Sequence, residues 1–141
     1  MAGEPEVYSL AGFAVPSELD RVHALLERVG ADHDAIERMD LMLFETAVIE
    51  IANNVVEYGK PTGEVRWRFE VRVTDAAIVA ELLDSGQEFE PRLEGEMPGE
   101  DAEGGRGLLL ARAALDELEW SRTPTGNRWR MVRRLGRGRT G

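Results

Sequence analysis

A strict alternation of apolar and charged residues between positions 64 and 74 constrains the fold more than any other feature of this chain. The two sets are Val65, Trp67, Phe69, Val71 and Val73 on one side, and Arg66, Arg68, Glu70 and Arg72 on the other. Successive side chains of a strand point to opposite faces, so this period predicts a strand with one buried and one solvated face. Such half-buried strands are typical of antiparallel sheets. We therefore expect a sheet with a covering layer on one side.

The other periodic segments supply that layer and the remaining strands. We predict strands at 7–13, 78–83, 118–123 and 127–135, and helices at 17–29, 40–58 and 107–115. We expect Ser17 and Asp40 to cap the first two helices, because short polar side chains accept from free N–H groups there. The order β-α-α-β-β-loop-α-β-β predicts an α/β (α+β) two-layer sandwich. In it, a mixed, largely antiparallel sheet is covered on one face by three helices.

Size and charge exclude several classes of protein. The chain has 141 residues, which predicts a single domain over 1–141 with a core at about 7–135 and a tail at 136–141. The net charge of −10 disfavours nucleic-acid binding, and the absence of cysteine excludes disulfides and thiolate metal sites. The start of the chain has no signal-peptide pattern and no apolar run could span a bilayer. We therefore expect a cytoplasmic protein without membrane association.

The long second helix carries an acid and an amide at a helical spacing. Glu50 and Asn54 are four residues apart and lie roughly 40° from each other around the helix, one turn above the other. They fall beside the apolar stripe of the helix, where they can serve a site that holds metal and phosphate. The alternative is an ordinary solvated edge of an amphipathic helix. Asn53 is a competing candidate, but its offset from Glu50 is three residues rather than four.

Two later segments also carry possible chemistry. Asp84-Ser85-Gly86 follows a buried strand, and the glycine-rich segment 104–107 precedes the third helix. The stretch 85–104 between them is a long loop, and long loops in compact domains are often functional. The structural alternatives are a plain turn at Asp84 and a plain glycine-rich helix entry.

In this order, the three segments resemble the N, G1 and G2 boxes of the GHKL (Bergerat-fold) ATPases. The chain is most similar to the bacterial anti-sigma-factor serine/threonine kinases of the partner-switching (RsbW) type, from about Pro16 to about Leu135. The resemblance implies that the chain binds ATP and Mg²⁺. It assigns Asn54 to the metal and Glu50 to catalysis, as the general base toward a serine of a partner protein.

The resemblance also implies a nucleotide pocket. Asp84 would accept a hydrogen bond from the adenine amino group, and Gly86 would let the backbone approach the ring. The phosphates would lie at the start of the third helix, where backbone N–H groups and the helix dipole favour anions. The residues assigned there are Gly105, Arg106 and Gly107.

The partners implied by the resemblance are two proteins. One is a sigma factor that the kinase holds inactive, and the other is an anti-anti-sigma (STAS-type) antagonist that it phosphorylates. The kinase would act as a homodimer, and Arg21 and Arg28 on the first helix would form the partner surface. A solvated helix face is the alternative for these arginines.

Four positions depart from the family pattern. Tyr58 stands where the family has histidine, and Gly126-Asn127 replaces its Gly-Thr. Five acids crowd the segment 94–103, and no arginine precedes Glu103, while Arg106 is shifted in register. These departures leave open a degenerate, non-catalytic module that binds ATP or a partner. A sensor histidine kinase fragment is disfavoured, because no helical dimerisation segment with a phosphoacceptor histidine is present.

Overall fold

The computed structural model of the chain describes residues 6–58, 65–86 and 106–136. The strands are β1 Glu6–Phe13, β2 Arg66–Val73, β3 Ala77–Asp84, β4 Glu117–Thr123 and β5 Gly126–Arg134. The helices are α1 Leu19–Asp32, α2 Arg38–Tyr58 and α3 Arg106–Ala114. This order of elements confirms the predicted one. The predicted end of α2 at 59–61, most of the loop 85–104 and the tail beyond Gly136 lie outside the described residues.

The five strands form one sheet in the order β1-β2-β3-β5-β4. All four pairings in the described part of the chain are antiparallel. The prediction was a mixed, largely antiparallel sheet. The reason is the hairpin of β4 and β5. After β3 the chain passes through α3, enters the outer edge of the sheet as β4, and turns back as β5 beside β3. Asp84 at the end of β3 consequently pairs with Asn127 at the start of β5.

One face of the sheet is buried under the helices. Phe69 of β2, Leu82 of β3 and Trp129 of β5 are almost fully buried, and so are Phe44 and Ile51 of α2. The alternate positions of the same strands carry the charged residues of the open face, as the alternation predicts. The two-layer sandwich with three helices on one face is therefore confirmed. None of the described helices is long and apolar enough to cross a membrane.

The two predicted helix caps were wrong. Ser17 lies within a 3₁₀ turn, Pro16–Glu18, and Glu18 occupies the cap position of α1 without a side-chain cap bond. Asp40 lies inside the first turn of α2, which begins at Arg38. Its carboxylate instead accepts hydrogen bonds from Nε and Nη2 of Arg133, at 3.0 and 2.8 Å. This ion pair joins residues 93 positions apart, and a local cap motif carries no information about such a partner.

Candidate functional site

The C-terminal half of α2 lies toward the end of the sheet at which β3 ends. Asp40, near the start of α2, is bonded to Arg133 near the end of β5. That end of β5 pairs with the start of β3. Since α2 packs on β3 and β5, helix and strand both run away from this point. The helix runs toward Glu50 and the strand runs toward Asp84.

Glu50 lies directly against the start of α3. A Cβ atom built on Gly107 would overlap Oε1 of Glu50 and would lie 3.4 Å from its Cδ. Glycine at position 107 is therefore required for the glutamate to keep its place. The Glu50 carboxylate forms no ion pair with the side chains that the structure describes, a set that leaves out Arg106. The acid of α2 and the predicted phosphate segment thus share one site.

Asn54 presents a buried amide one turn beyond Glu50. The residue is 8% exposed, and its Nδ2 has no hydrogen-bond partner among the residues that the structure describes. A buried donor without a partner costs about 1–3 kcal/mol, so a ligand that supplies an acceptor would stabilise it. Phosphate oxygens are such acceptors. The neighbouring Asn53 is exposed, which agrees with the preference for Asn54.

The turn after β3 is fixed on both sides. Asp84 is 7% exposed, and its Oδ1 accepts a hydrogen bond of 2.8 Å from the backbone N–H of Gly86. Ser85 exchanges two hydrogen bonds with Arg66 of β2, one through its N–H and one through its hydroxyl. Nη1 of Arg122 on β4 donates to the Gly86 carbonyl at 2.9 Å. Asp84 and Gly86 therefore lie in a turn that hydrogen bonds to neighbouring strands hold in place.

Sequence reasoning missed two partners of Asp84. Nδ2 of Asn127 donates to Oδ1 at 2.9 Å, and Nε1 of Trp129 donates to Oδ2 at 3.2 Å. The sequence marks Asn127 only as a departure from the family pattern. Gly126 carried a usable signal, because a Cβ there would overlap the Asp84 carbonyl oxygen. A glycine is needed where two backbones approach this closely.

The described residues fit a site at which Mg²⁺ is coordinated mainly by the phosphates of a bound ligand and by water. No group of three or more His, Cys, Asp or Glu residues among the described ones could hold a metal ion. Mg²⁺ binds oxygen, keeps several waters and often uses only one or two protein ligands with substrate phosphates. The amide oxygen of Asn54 is suited to such a position.

A groove between α1 and α2 ends at Glu50. Its volume is about 310 Å³, and it is lined by His23, Leu26, Glu27, Glu45, Thr46, Ile49 and Glu50. Burial raises the pKa of Glu45, the charge of Glu27 raises it further, and His23 opposes the shift. A second cavity of about 670 Å³, between α3 and β4, contains none of the predicted site residues.

The predicted partner arginines lie exposed on α1, and both make contacts within the chain. Nη1 of Arg21 donates to the Ala11 carbonyl at 3.2 Å and pairs with Glu18. The guanidinium of Arg28 lies 5.6 Å from the ring centroid of Tyr8. Each therefore helps to hold α1 on β1 and still presents polar surface. Among the other predicted residues, Arg106 begins α3, and Gly105 lies outside the described residues.

The chain is similar to known proteins in sequence and in fold. One solved structure is that of the RsbU and RsbW domains of Rv1364c from Mycobacterium tuberculosis, with a TM-score of 0.65 and 20% identity. The match covers 92% of this chain and 32% of that chain, so this chain spans about a third of its length. No curated relative matches the chain. Residues 14–133 match the family described as the histidine kinase-like ATPase domain. This match covers most of the chain and shows that the chain belongs to the histidine kinase-like ATPase domain family.

Proposed function

We propose that the chain is a protein serine/threonine kinase that transfers phosphate from ATP to a serine of an anti-anti-sigma (STAS-type) antagonist. We further propose that it binds a sigma factor and holds it inactive in the cytoplasm. The observation that carries the enzymatic proposal is the contact between Glu50 and Gly107. It lies one turn from Asn54, whose Nδ2 finds no hydrogen-bond partner among the described residues. It joins a candidate base, a candidate metal ligand and a helix start in one place.

Each residue has a role in this proposal. Asn54 would offer its oxygen to Mg²⁺, which neutralises charge on the phosphates when it is bound. Asp84 would accept a hydrogen bond from the adenine amino group. Glu50 would accept the proton of the attacking serine hydroxyl. Its carboxylate suits this role because none of the described side chains, a set without Arg106, forms an ion pair with it.

The groove between α1 and α2 is an argument for a protein as the phosphate acceptor. Glu50 forms one wall of it, and the other walls belong to α1 and α2 rather than to the turn at Asp84. A hydroxyl that enters from this side would approach Glu50 without crossing the base end of the site. The groove is therefore a route for the acceptor serine that is separate from the nucleotide.

Two matched pairs of substitutions test the roles. Asn54→Ala should lose Mg²⁺-dependent ATP binding in calorimetry, whereas Asn53→Ala should keep it. Glu50→Gln should bind ATP and lose about 10²–10⁴-fold in phosphate transfer, whereas Glu57→Gln, exposed on the same helix, should not. Transfer is read as phosphoserine on a purified STAS-domain antagonist by mass spectrometry. Absence of Mg·ATP binding by the wild type contradicts the proposal. Wild-type transfer by Glu50→Gln contradicts the assignment of the base.

The partner surface needs its own test. We propose that the chain forms a homodimer and contacts the sigma factor through α1. Arg21 and Arg28 of this helix are cationic in a chain of net charge −10. Opposite charges across an interface speed association. Reversal of both to glutamate should slow sigma-factor binding, while Arg68→Glu on the open sheet face should not. Light scattering that gives a monomer at high concentration contradicts the dimer, and unchanged association rates contradict the role of α1.

A further inference from the structure

Asn127 and Asp84 form a buried polar pair across the sheet. They are direct partners in the pairing of β3 with β5, and they are 4% and 7% exposed. Their side chains meet on the helix-covered face, with 2.9 Å between Nδ2 and Oδ1. A hydrogen bond to a buried carboxylate is among the stronger contacts in a protein. Asn127 is therefore positioned to act on the chemistry of Asp84.

The amide of Asn127 has one orientation that satisfies its neighbours. Nε1 of Trp120 donates to its Oδ1 at 3.2 Å, and an indole N–H can only donate. On the other side, the ionised carboxylate of Asp84 can only accept. A rotated amide would place oxygen against the carboxylate and N–H against the indole. Trp120 thus orients Asn127, and Asn127 in turn orients Asp84.

The carboxylate of Asp84 uses most of its hydrogen-bond acceptor sites on neighbouring residues. Oδ1 accepts from Gly86 and Asn127, and Oδ2 accepts from Trp129. A carboxylate offers about four lone-pair sites, two on each oxygen. The described residues leave one site on Oδ2, and it can receive one further N–H. A ligand group that only accepts hydrogen bonds would meet repulsion there.

We propose that Asn127, oriented by Trp120, is a positioning residue that makes the site select 6-amino over 6-oxo purine nucleotides. The inference rests on the proposed nucleotide function of Asp84 and adds the residues that enforce it. Asn127 acts through Asp84 and need not touch the base. Threonine at this position would be shorter, and its single hydroxyl would replace an amide that now bridges an indole and a carboxylate.

The test compares ATP with inosine triphosphate, which carries an oxygen in place of the amino group. Calorimetry with Mg²⁺ gives both affinities for the wild type, Asn127→Asp, Asn127→Thr and Trp120→Phe. Asn127→Asp sets a second carboxylate beside Asp84, and such pairs hold a shared proton. The protonated pair can donate to the inosine oxygen. We expect ATP affinity to fall by about tenfold or more and the preference for ATP to fall with it.

The other variants separate positioning from structure. Asn127→Thr and Trp120→Phe should both narrow the preference for ATP by several-fold, because each frees the orientation of Asp84. Asn53→Asp adds the same charge at an exposed position and should leave both affinities unchanged. Circular dichroism identifies any variant that fails to fold. Trp120→Phe keeps an aromatic ring at position 120 and removes the indole N–H.

Each outcome decides a different point. A wild type that binds neither nucleotide overturns the proposed function and this inference together. A wild type that prefers ATP, with folded variants that keep the same preference, overturns this inference alone. Equal weakening of both nucleotides also overturns it, because that result indicates only a structural role for Asn127.

Discussion

Substitution of Gly107 by alanine is expected to damage catalysis without damaging the fold. The added Cβ would overlap Oε1 of Glu50, whereas ordinary contact begins at 3.4 Å. The carboxylate must therefore retreat by roughly 1 Å, and a misplacement of that size can lower a rate by about 100-fold. Alanine is the better helix former, by up to about 1 kcal/mol. We expect Gly107→Ala to unfold at the same or higher denaturant concentration and to transfer phosphate about 100-fold more slowly.

The assay pairs denaturant unfolding, followed by circular dichroism, with phosphate transfer to a STAS-domain antagonist. Gly30→Ala is the matched control: its Cβ would approach only the flexible end of Leu41, at 2.9 Å, far from Glu50 in the chain. Calorimetry with Mg·ATP shows whether the loss lies in nucleotide binding or in transfer.

A double-mutant cycle isolates the contact. Glu50→Asp shortens the acid by one methylene and leaves room for the Cβ of alanine, so Gly107→Ala should cost less in that background than in the wild type. Wild-type transfer by Gly107→Ala would refute the reasoning. Additive losses in the cycle would also refute it, because they would show that the two residues act independently.

Two further predictions concern stability. Asp40→Ala should lower the free energy of unfolding by about 2–3 kcal/mol. It leaves the guanidinium of Arg133, whose side chain is 11% exposed, with the Ala114 carbonyl as its acceptor among the described residues. Glu45→Gln should stabilise the protein more as the pH rises above about 4.5, the ordinary range of this carboxyl. Burial and Glu27 raise the pKa of Glu45, partly offset by His23, so the folded state binds its proton more tightly and loses stability as the pH rises.

Both stability predictions can be tested against a control or an alternative outcome. Glu81→Gln breaks the pair with Arg128 on the open face, where the two side chains are 32% and 38% exposed, and should cost below about 1 kcal/mol. Equal losses in Asp40→Ala and Glu81→Gln would contradict the buried role of the first pair. A difference in unfolding free energy between Glu45→Gln and the wild type that stays constant from pH 4 to pH 7 would contradict the second prediction.

The sequence was sufficient for the elements and insufficient for long-range polar contacts. The alternation around Phe69 and the glycines that flank the helices are local, so strands and helices were predictable within a few residues. The ion pair of Asp40 with Arg133 depends on the packing of α2 over the sheet. The bond between Asp84 and Asn127 depends on the order of the strands. No local pattern contains either, which is why Asp40 was expected to be a cap and Asn127 was treated only as a departure.

The position of the indoles gives this protein an internal optical probe. All three tryptophans of the chain lie around Asp84: Trp67 pairs with it in the sheet, Trp129 donates to it, and Trp120 orients its partner. Indole emission depends on the polarity and hydrogen bonding around the ring. We therefore expect ligand binding beside Asp84 to change the fluorescence of the unlabelled chain, since Trp120 and Trp129 belong to its hydrogen-bonded network.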